Sequence, residues 1–330
     1  MRRRVSGIRT RREGGVAAPF SRHVCRDPPA IAAPDCLREE YIFDFAMPFT
    51  LPMNTLRHQI PSGRAMLAAE TAGSGDPVVF LHAAICDRRM WQAQMRVLSS
   101  SNKVIAYDRR GFGLTHCTPE DHSAVADLMA VMDALADGKP VILVGCSQGG
   151  RVALDAALLH PDRVRGLVLI APTVPGAPDL AQPAAIQAAM ATLKQAESAR
   201  DLDRVNALKA RLFLDGPLEP EGRVEGAARP LFLEMHAGVL RSPPSGSSVD
   251  NLPTYQRLNE ILAPSLVMWG RCDFPHIQAR SQQVASMLAN GSGHALPDTA
   301  HLPSLDRPDE VTDLLVTFIR RVAGNAAGAA

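Results

Sequence analysis

Ser147, Asp273 and His301 are the residues of this chain whose types, order and surroundings add up to a chemistry. Ser147 stands in Gly145-Cys146-Ser147-Gln148-Gly149, where the apolar run Pro140–Gly145 gives way at once to a helical pattern. Asp273 follows another apolar run, within GRCDFPH, and His301 follows a weaker one, within DTAHLPSL. A serine hydroxyl is a poor nucleophile until a base takes its proton. An imidazole serves as that base, and a carboxylate fixes its tautomer and stabilises its cation. The trio therefore suits attack on a carbonyl carbon through a covalent intermediate.

The glycines around Ser147 fit the same reading. A serine lifted out of a sheet on a sharp strand-to-helix turn leaves room only for small residues two positions before and after, here Gly145 and Gly149. The turn places the hydroxyl at the positive end of the next helix, where the Gln148 N–H points at developing negative charge. A second donor comes from the loop after an earlier strand, LHAAICDRRMW, and the Ala84 N–H is the nominee. Asp298 and Asp108 rival Asp273, and His294 and His276 rival His301. His301 is preferred because it alone precedes Leu-Pro-Ser and the final helix. Asp108, Arg109 and Arg110 read as structural turn residues, His82 as a brace for the loop of Ala84, and Trp91 and Trp269 as core.

These residues need a scaffold, and the hydrophobic pattern supplies one. Thr55–Ile60 and Met66–Thr71 flank Pro61-Ser62-Gly63 as a hairpin. PVVFLH (77–82), KVIAYD (103–108), PVILVG (140–145), GLVLIAP (166–172) and PSLVMWG (264–270) are short unbroken apolar runs, the mark of strands buried on both faces of a parallel sheet. Helical patterns alternate with them. Val311, Leu314, Leu315, Phe318, Ile319 and Val322 form the clearest amphipathic stripe. The alternation predicts an α/β fold with a mostly parallel, doubly wound sheet. It breaks over 174–263, which reads as three or four helices, including one through LDRVNALKARLFL with Asp201 as N-cap and Gly216 beyond its end. The expected organisation is a disordered extension over 1–52, a core over 53–173 and 264–330, and a helical cap over 174–263.

Bulk properties narrow the partners. A net charge of +1 on 330 residues gives no reason to expect nucleic acid or an anionic membrane, and no apolar run approaches a spanning length. The six cysteines form no CxxC pair and no histidine cluster has zinc spacing, so no metal and no cofactor are expected. Dispersed cysteines suit a reducing, cytoplasmic setting. The first 26 residues hold eight arginines and no apolar stretch of signal-peptide kind, and they read as an extension or an upstream start before Met53. Cys86, Cys146 and Cys272 adjoin the site motifs. They read as small buried hydrophobes, against the alternative that modifying one of them blocks the pocket.

FLHAAICDRRMW, YDRRGFGLT, VGCSQGGRVALDAALLHPDRVRGLVLIAP, LVMWGRCDFPH and TAHLPSLDRPDEV together resemble the α/β-hydrolase-fold family, from about Asn54 to Val322. The resemblance implies an α/β-hydrolase fold with a cap and esterase-like or lactonase-like chemistry through Ser147, Asp273 and His301. Within the family the sequence is most similar to small bacterial hydrolases that include enol-lactonases. It departs from the family at His82-Ala83, where His-Gly is usual, and at Asp298, where a small residue is common. The expected activity is hydrolysis of a small carboxylic ester or lactone. Carbon–carbon hydrolysis of a ring-fission product, acyl transfer or perhydrolysis, and slow-turnover ligand reception are the alternatives. Ala83, Ile85, Phe213, Phe232, His236 and Phe274 are the candidate substrate contacts, with Met235 and Tyr255 also in reach. The Ala-, Leu- and Met-rich cap suggests a mainly apolar pocket. A homodimer is compatible with these expectations.

Overall fold

The computed structural model describes residues 54–327; the expected extension over 1–52 lies outside the described residues. Nine strands form one sheet: β1 (Leu56–Ser62), β2 (Ala65–Ala72), β3 (Asp76–Leu81), β4 (Asn102–Tyr107), β5 (His116–Cys117), β6 (Val141–Cys146), β7 (Val164–Ile170), β8 (Ser265–Gly270) and β9 (Gly291–Leu296). Their spatial order is β1-β2-β4-β3-β6-β7-β8-β9, with the two-residue β5 pairing with β2. The β1–β2 and β2–β4 pairs are antiparallel, and every pair from β4 to β9 is parallel. The hairpin runs two residues further than its sequence suggests. Ser62 pairs with Ala65, which leaves Gly63-Arg64 as the turn.

The helices are α1 (Gln92–Leu98), α2 (Ala124–Leu135), α3 (Gln148–Leu159), α4 (Ala184–Ser198), α5 (Leu202–Lys209), α6 (Ala228–Arg241), α7 (Pro275–Met287), α8 (Pro303–Asp306) and α9 (Pro308–Ala327). Strand side chains alternate between two cores. Val79 and Leu81 join one cluster with Leu128 of α2, Val152 of α3 and Val284 of α7. Val78 and Phe80 join another with Met95 of α1 and Val311, Leu315 and Phe318 of α9. Both faces of the sheet are thus covered, which is why β6 is buried along its whole length and reads as an uninterrupted apolar run. The final helix extends through Ala327, past Val322 at the end of its apolar stripe.

Helices α4 to α6 lie in the chain between β7 and β8. The expected single helix through LDRVNALKARLFL is two pieces. Asp201 does cap it, accepting from the Arg204 N–H at 3.1 Å, but beyond Lys209 the coil widens to a π-helical turn over Ala210–Asp215. Asp215 anchors the end of that turn. It is fully buried and accepts from the Gly222 and Val224 N–H groups at 2.9 and 3.0 Å and from Arg229. Among the described residues no helix is long and apolar enough to cross a membrane.

Candidate active site

The site is built where β6 ends. Ser147 has φ 52° and ψ −113°, a left-handed conformation that costs a non-glycine residue on the order of 1–3 kcal/mol. The surroundings enforce it. The Ser147 N–H donates to Ile170 O at 2.8 Å and its carbonyl accepts from Thr173 N at 3.0 Å, tying the elbow to the end of β7. A Cβ on Gly145 would stand 2.5 Å from Gly149 O, and one on Gly149 would run into the Leu81 carbonyl. Backbone meets backbone at both points, so nothing can swing aside. Gly149→Val is therefore expected to destabilise the fold by more than about 4 kcal/mol, as overpacking adds to backbone displacement. A denaturant midpoint close to wild type would contradict this.

Asp273 follows β8 and His301 follows β9, and the fold brings them together. His301 Nδ1 donates to Asp273 Oδ2 at 2.8 Å, while Asp273 Oδ1 accepts from the Phe274 N–H at 2.7 Å. Both residues are at least 97 % buried, His301 being 3 % exposed and Asp273 2 %. Half-buried Ser147 and His301 line one cavity of about 480 Å³. Among the described residues no hydrogen bond links the Ser147 hydroxyl to the imidazole; such contacts commonly tighten only when substrate is bound. Three of the four rivals are placed elsewhere. Asp298 is exposed, and Asp108 is buried against Arg88, accepting from its backbone N–H at 2.8 Å and pairing with its guanidinium. His294 lies on the edge strand β9, but His276 does line the cavity.

Gln148 opens α3, so its N–H has no intrahelical acceptor. Ala84 is half-buried, and its N–H has no acceptor among the described residues. The loop that carries Ala84 is held by His82. Its Nδ1 donates to Ala83 O at 2.8 Å and its Nε2 accepts from the Arg109 N–H at 3.0 Å. Burial, reinforced by the Arg109 cation, holds the His82 imidazole well below the ordinary histidine range, which matches this one-donor, one-acceptor neutral form.

Arg110 is a structural turn residue, paired with Asp127 and Glu120. Arg109 does more than its sequence context suggests. It is 7 % exposed, and its guanidinium donates to Gln148 Oε1 at 2.9 Å and to His82 O at 3.1 Å. One side chain therefore ties the two segments that carry the candidate oxyanion donors. Burial pushes it down to about 10, so it stays cationic at neutral pH. Arg109→Met is expected to lower kcat roughly 10- to 100-fold with little change in KM, since donors displaced by about 1 Å mainly affect the transition state. Equal changes in kcat and KM would argue for a purely structural part.

Of the candidate substrate contacts, Phe213 lines the cavity and the others do not. Phe213 sits in the π-helical turn; its carbonyl accepts the His301 N–H at 3.2 Å and its ring packs edge-on against the imidazole, 5.3 Å between centroids. Phe274 is buried beneath it among Ile186, Leu193 and Leu212. Phe232 is fully buried and stacks on His236, whose Nδ1 pairs with Asn206 of α5 at 2.9 Å, so both look into the protein. Ala83 is fully buried, with its N–H on Met90 Sδ, and Ile85 packs against the sheet. Met235 is likewise core, and Tyr255 lies under Arg280.

Cys86 and Cys146 are fully buried and burial raises both thiols well above their ordinary range; Cys272, half-buried, is pushed up to about 11, also chiefly by burial. All three stay protonated at neutral pH, and the thiolate is the reactive form. Iodoacetamide at pH 7 is accordingly expected to leave activity within about twofold of the untreated protein. Rapid inactivation with label on one of these cysteines would reverse that conclusion.

A parallel sheet with a strained serine at the carboxyl end of a central strand, and a buried Asp–His pair beyond the next strands, is the layout of an α/β hydrolase. The α/β hydrolase family matches residues 78–314, and the chain belongs to that family. It is 27 % identical over 281 residues to the putative non-heme bromoperoxidase BpoC of Mycobacterium tuberculosis, covering 78 % of this chain and 98 % of that one. It is 28 % identical over 282 residues to the 2-hydroxymuconate semialdehyde hydrolase of a Pseudomonas species, covering 81 % and 97 %. Among solved structures, the carboxylesterase CesB of Bacillus subtilis superposes with a TM-score of 0.64 at 20 % identity, covering 82 % and 93 %. A thermophilic esterase of Thermogutta terrifontis superposes with a TM-score of 0.61 at 24 % identity, covering 82 % and 99 %.

Proposed function

We propose that this protein is a serine hydrolase that cleaves a small carboxylic ester or lactone through an acyl-enzyme. The observation that carries the reading is the strained Ser147 facing the same cavity as the buried, Asp273-bonded His301. Ser147 Oγ attacks the carbonyl carbon while His301 Nε2 takes the hydroxyl proton. The carbonyl oxygen, now negative, lies against the N–H groups of Gln148 and Ala84. His301 returns the proton to the leaving alkoxide as the C–O bond breaks. Water, deprotonated by the same imidazole, then frees the acid and restores Ser147.

Carbon–carbon hydrolysis by the same trio is the second reading, favoured by the similarity to the semialdehyde hydrolase along 97 % of that protein's length. Labelling with a fluorophosphonate probe, wild type beside Ser147→Ala, tests the nucleophile. Turnover of nitrophenyl esters of rising acyl length, with product analysis on a dienoate substrate, separates the two reactions. A folded wild type that is neither labelled nor active on any of them would refute both.

A further inference from the structure

The cavity shared by Ser147 and His301 holds a cation that the reaction above leaves unused. Arg280, on α7, lines it and is the only arginine or lysine among its described lining residues. The guanidinium lies over the Tyr255 ring, 5.1 Å from the centroid, and one amino group donates to the Pro178 carbonyl. Its other amino nitrogen, Nη1, is buried and has no hydrogen-bond partner, and no carboxylate of the described residues forms an ion pair with the side chain. The side chain as a whole is half-buried, so it is this one nitrogen that burial leaves unsatisfied, and buried donors are normally satisfied.

Two other ionisable groups share the wall with Arg280 besides His301. Asp179 is exposed, so water screens its charge. His276 is half-buried, and burial, ahead of its charged neighbours, lowers its pKa, which keeps it neutral near pH 7. Neither neutralises the guanidinium. Much of the remaining wall is apolar, including Val174, Leu180, Phe213 and Ile277.

We propose that Arg280 anchors a carboxylate on the substrate, so that the site takes small esters or lactones carrying a free carboxylate at the end of a short hydrocarbon link. The inference rests on Ser147 as the nucleophile of the same cavity. A planar guanidinium fork matches a carboxylate in two parallel hydrogen bonds, and the charged acceptor outcompetes the neutral Pro178 carbonyl that holds it in the free protein. The apolar wall suits the methylene link between the anchored end and the carbonyl at Ser147.

Binding and turnover test it separately. Succinate, glutarate and adipate are titrated calorimetrically into Ser147→Ala, into Ser147→Ala/Arg280→Gln, and beside the uncharged diamides. The tightest diacid is expected to bind Ser147→Ala at least tenfold more tightly than its diamide, and at least tenfold more tightly than it binds the double variant. In turnover, Arg280→Gln is expected to lose roughly 10- to 100-fold more kcat/KM on the monomethyl ester of that diacid than on the methyl ester of the neutral acid of equal length. The loss falls on KM, and Arg280→Lys recovers part of it. Thermal melts of each variant check folding.

Diacid binding that ignores Arg280, or fails in a folded Ser147→Ala, would overturn the proposal, as would equal losses on charged and neutral esters. If Arg280-dependent binding appears but no ester is cleaved, the nucleophile reading fails and the anchor stands. If neutral esters are cleaved but the diacids do not bind, the reverse holds.

Discussion

Replacing Ser147 by alanine is expected to lower kcat by about a millionfold, the scale seen when an activated serine is removed from a triad. On the proposed mechanism no acyl-enzyme forms without Oγ, and what remains is the cavity and the candidate oxyanion donors. The substitution removes one atom from a half-buried position and leaves the elbow packing untouched, so the fold should persist. Stability gives a second measurement on the same residue. Ser147 holds φ at 52°, where glycine is at ease and other residues are strained. Ser147→Gly should therefore be as inactive as Ser147→Ala yet more stable than it, by on the order of 1 kcal/mol, provided the glycine's extra freedom in the unfolded chain does not offset the relief. Steady-state kinetics and denaturant midpoints on the two variants check both statements. Residual kcat within tenfold of wild type would remove Ser147 from the mechanism.

Asp273→Asn should lower kcat about ten-thousandfold at neutral pH with an unchanged fold. The carboxylate accepts at both oxygens, from Phe274 N at 2.7 Å and from His301 Nδ1 at 2.8 Å. An amide keeps the shape. If its oxygen stays on the Phe274 N–H, it turns a donor toward Nδ1 and selects the tautomer with its proton on Nε2, where it cannot accept from Ser147. It also removes the negative charge that steadies the imidazolium. Asp298→Asn is the matched control. Asp298 lies in the same loop as His301 and has φ 51°, which asparagine tolerates. Because the Asp298 side chain is exposed, activity should stay within about twofold of wild type. Equal losses at both positions would mean that the loop, not the Asp273 charge, was disturbed.

The sequence by itself determined the sheet and which strand ends carry the candidate site. Doubly covered strands must be apolar on both faces, so β3, β4, β6, β7 and β8 announced themselves as unbroken runs. Only glycine fits where backbone meets backbone, so Gly145 and Gly149 marked the elbow around Ser147. The residues that follow β6, β8 and β9 then pointed to Ser147, Asp273 and His301, because strand ends of one polarity meet at one edge of a parallel sheet. The two-residue β5 carried too short a pattern to be seen.

Only the tertiary structure decided which side chains of the helical segment between β7 and β8 meet the cavity. Helical periodicity tells that Phe232 and His236 lie on one face of α6, but not whether that face turns to the cavity or to α5, and it turns to α5. Phe213 reaches His301 because the helix widens into a π-helical turn, a local change of pitch with no periodic signature. Arg109 and Arg280 were invisible as site residues for a different reason. Long side chains act several ångströms from their own backbone, and what Arg109 ties together, or what Arg280 leaves unpaired, is fixed by neighbours distant in sequence: His82 and Gln148 for the first, Pro178 and Tyr255 for the second.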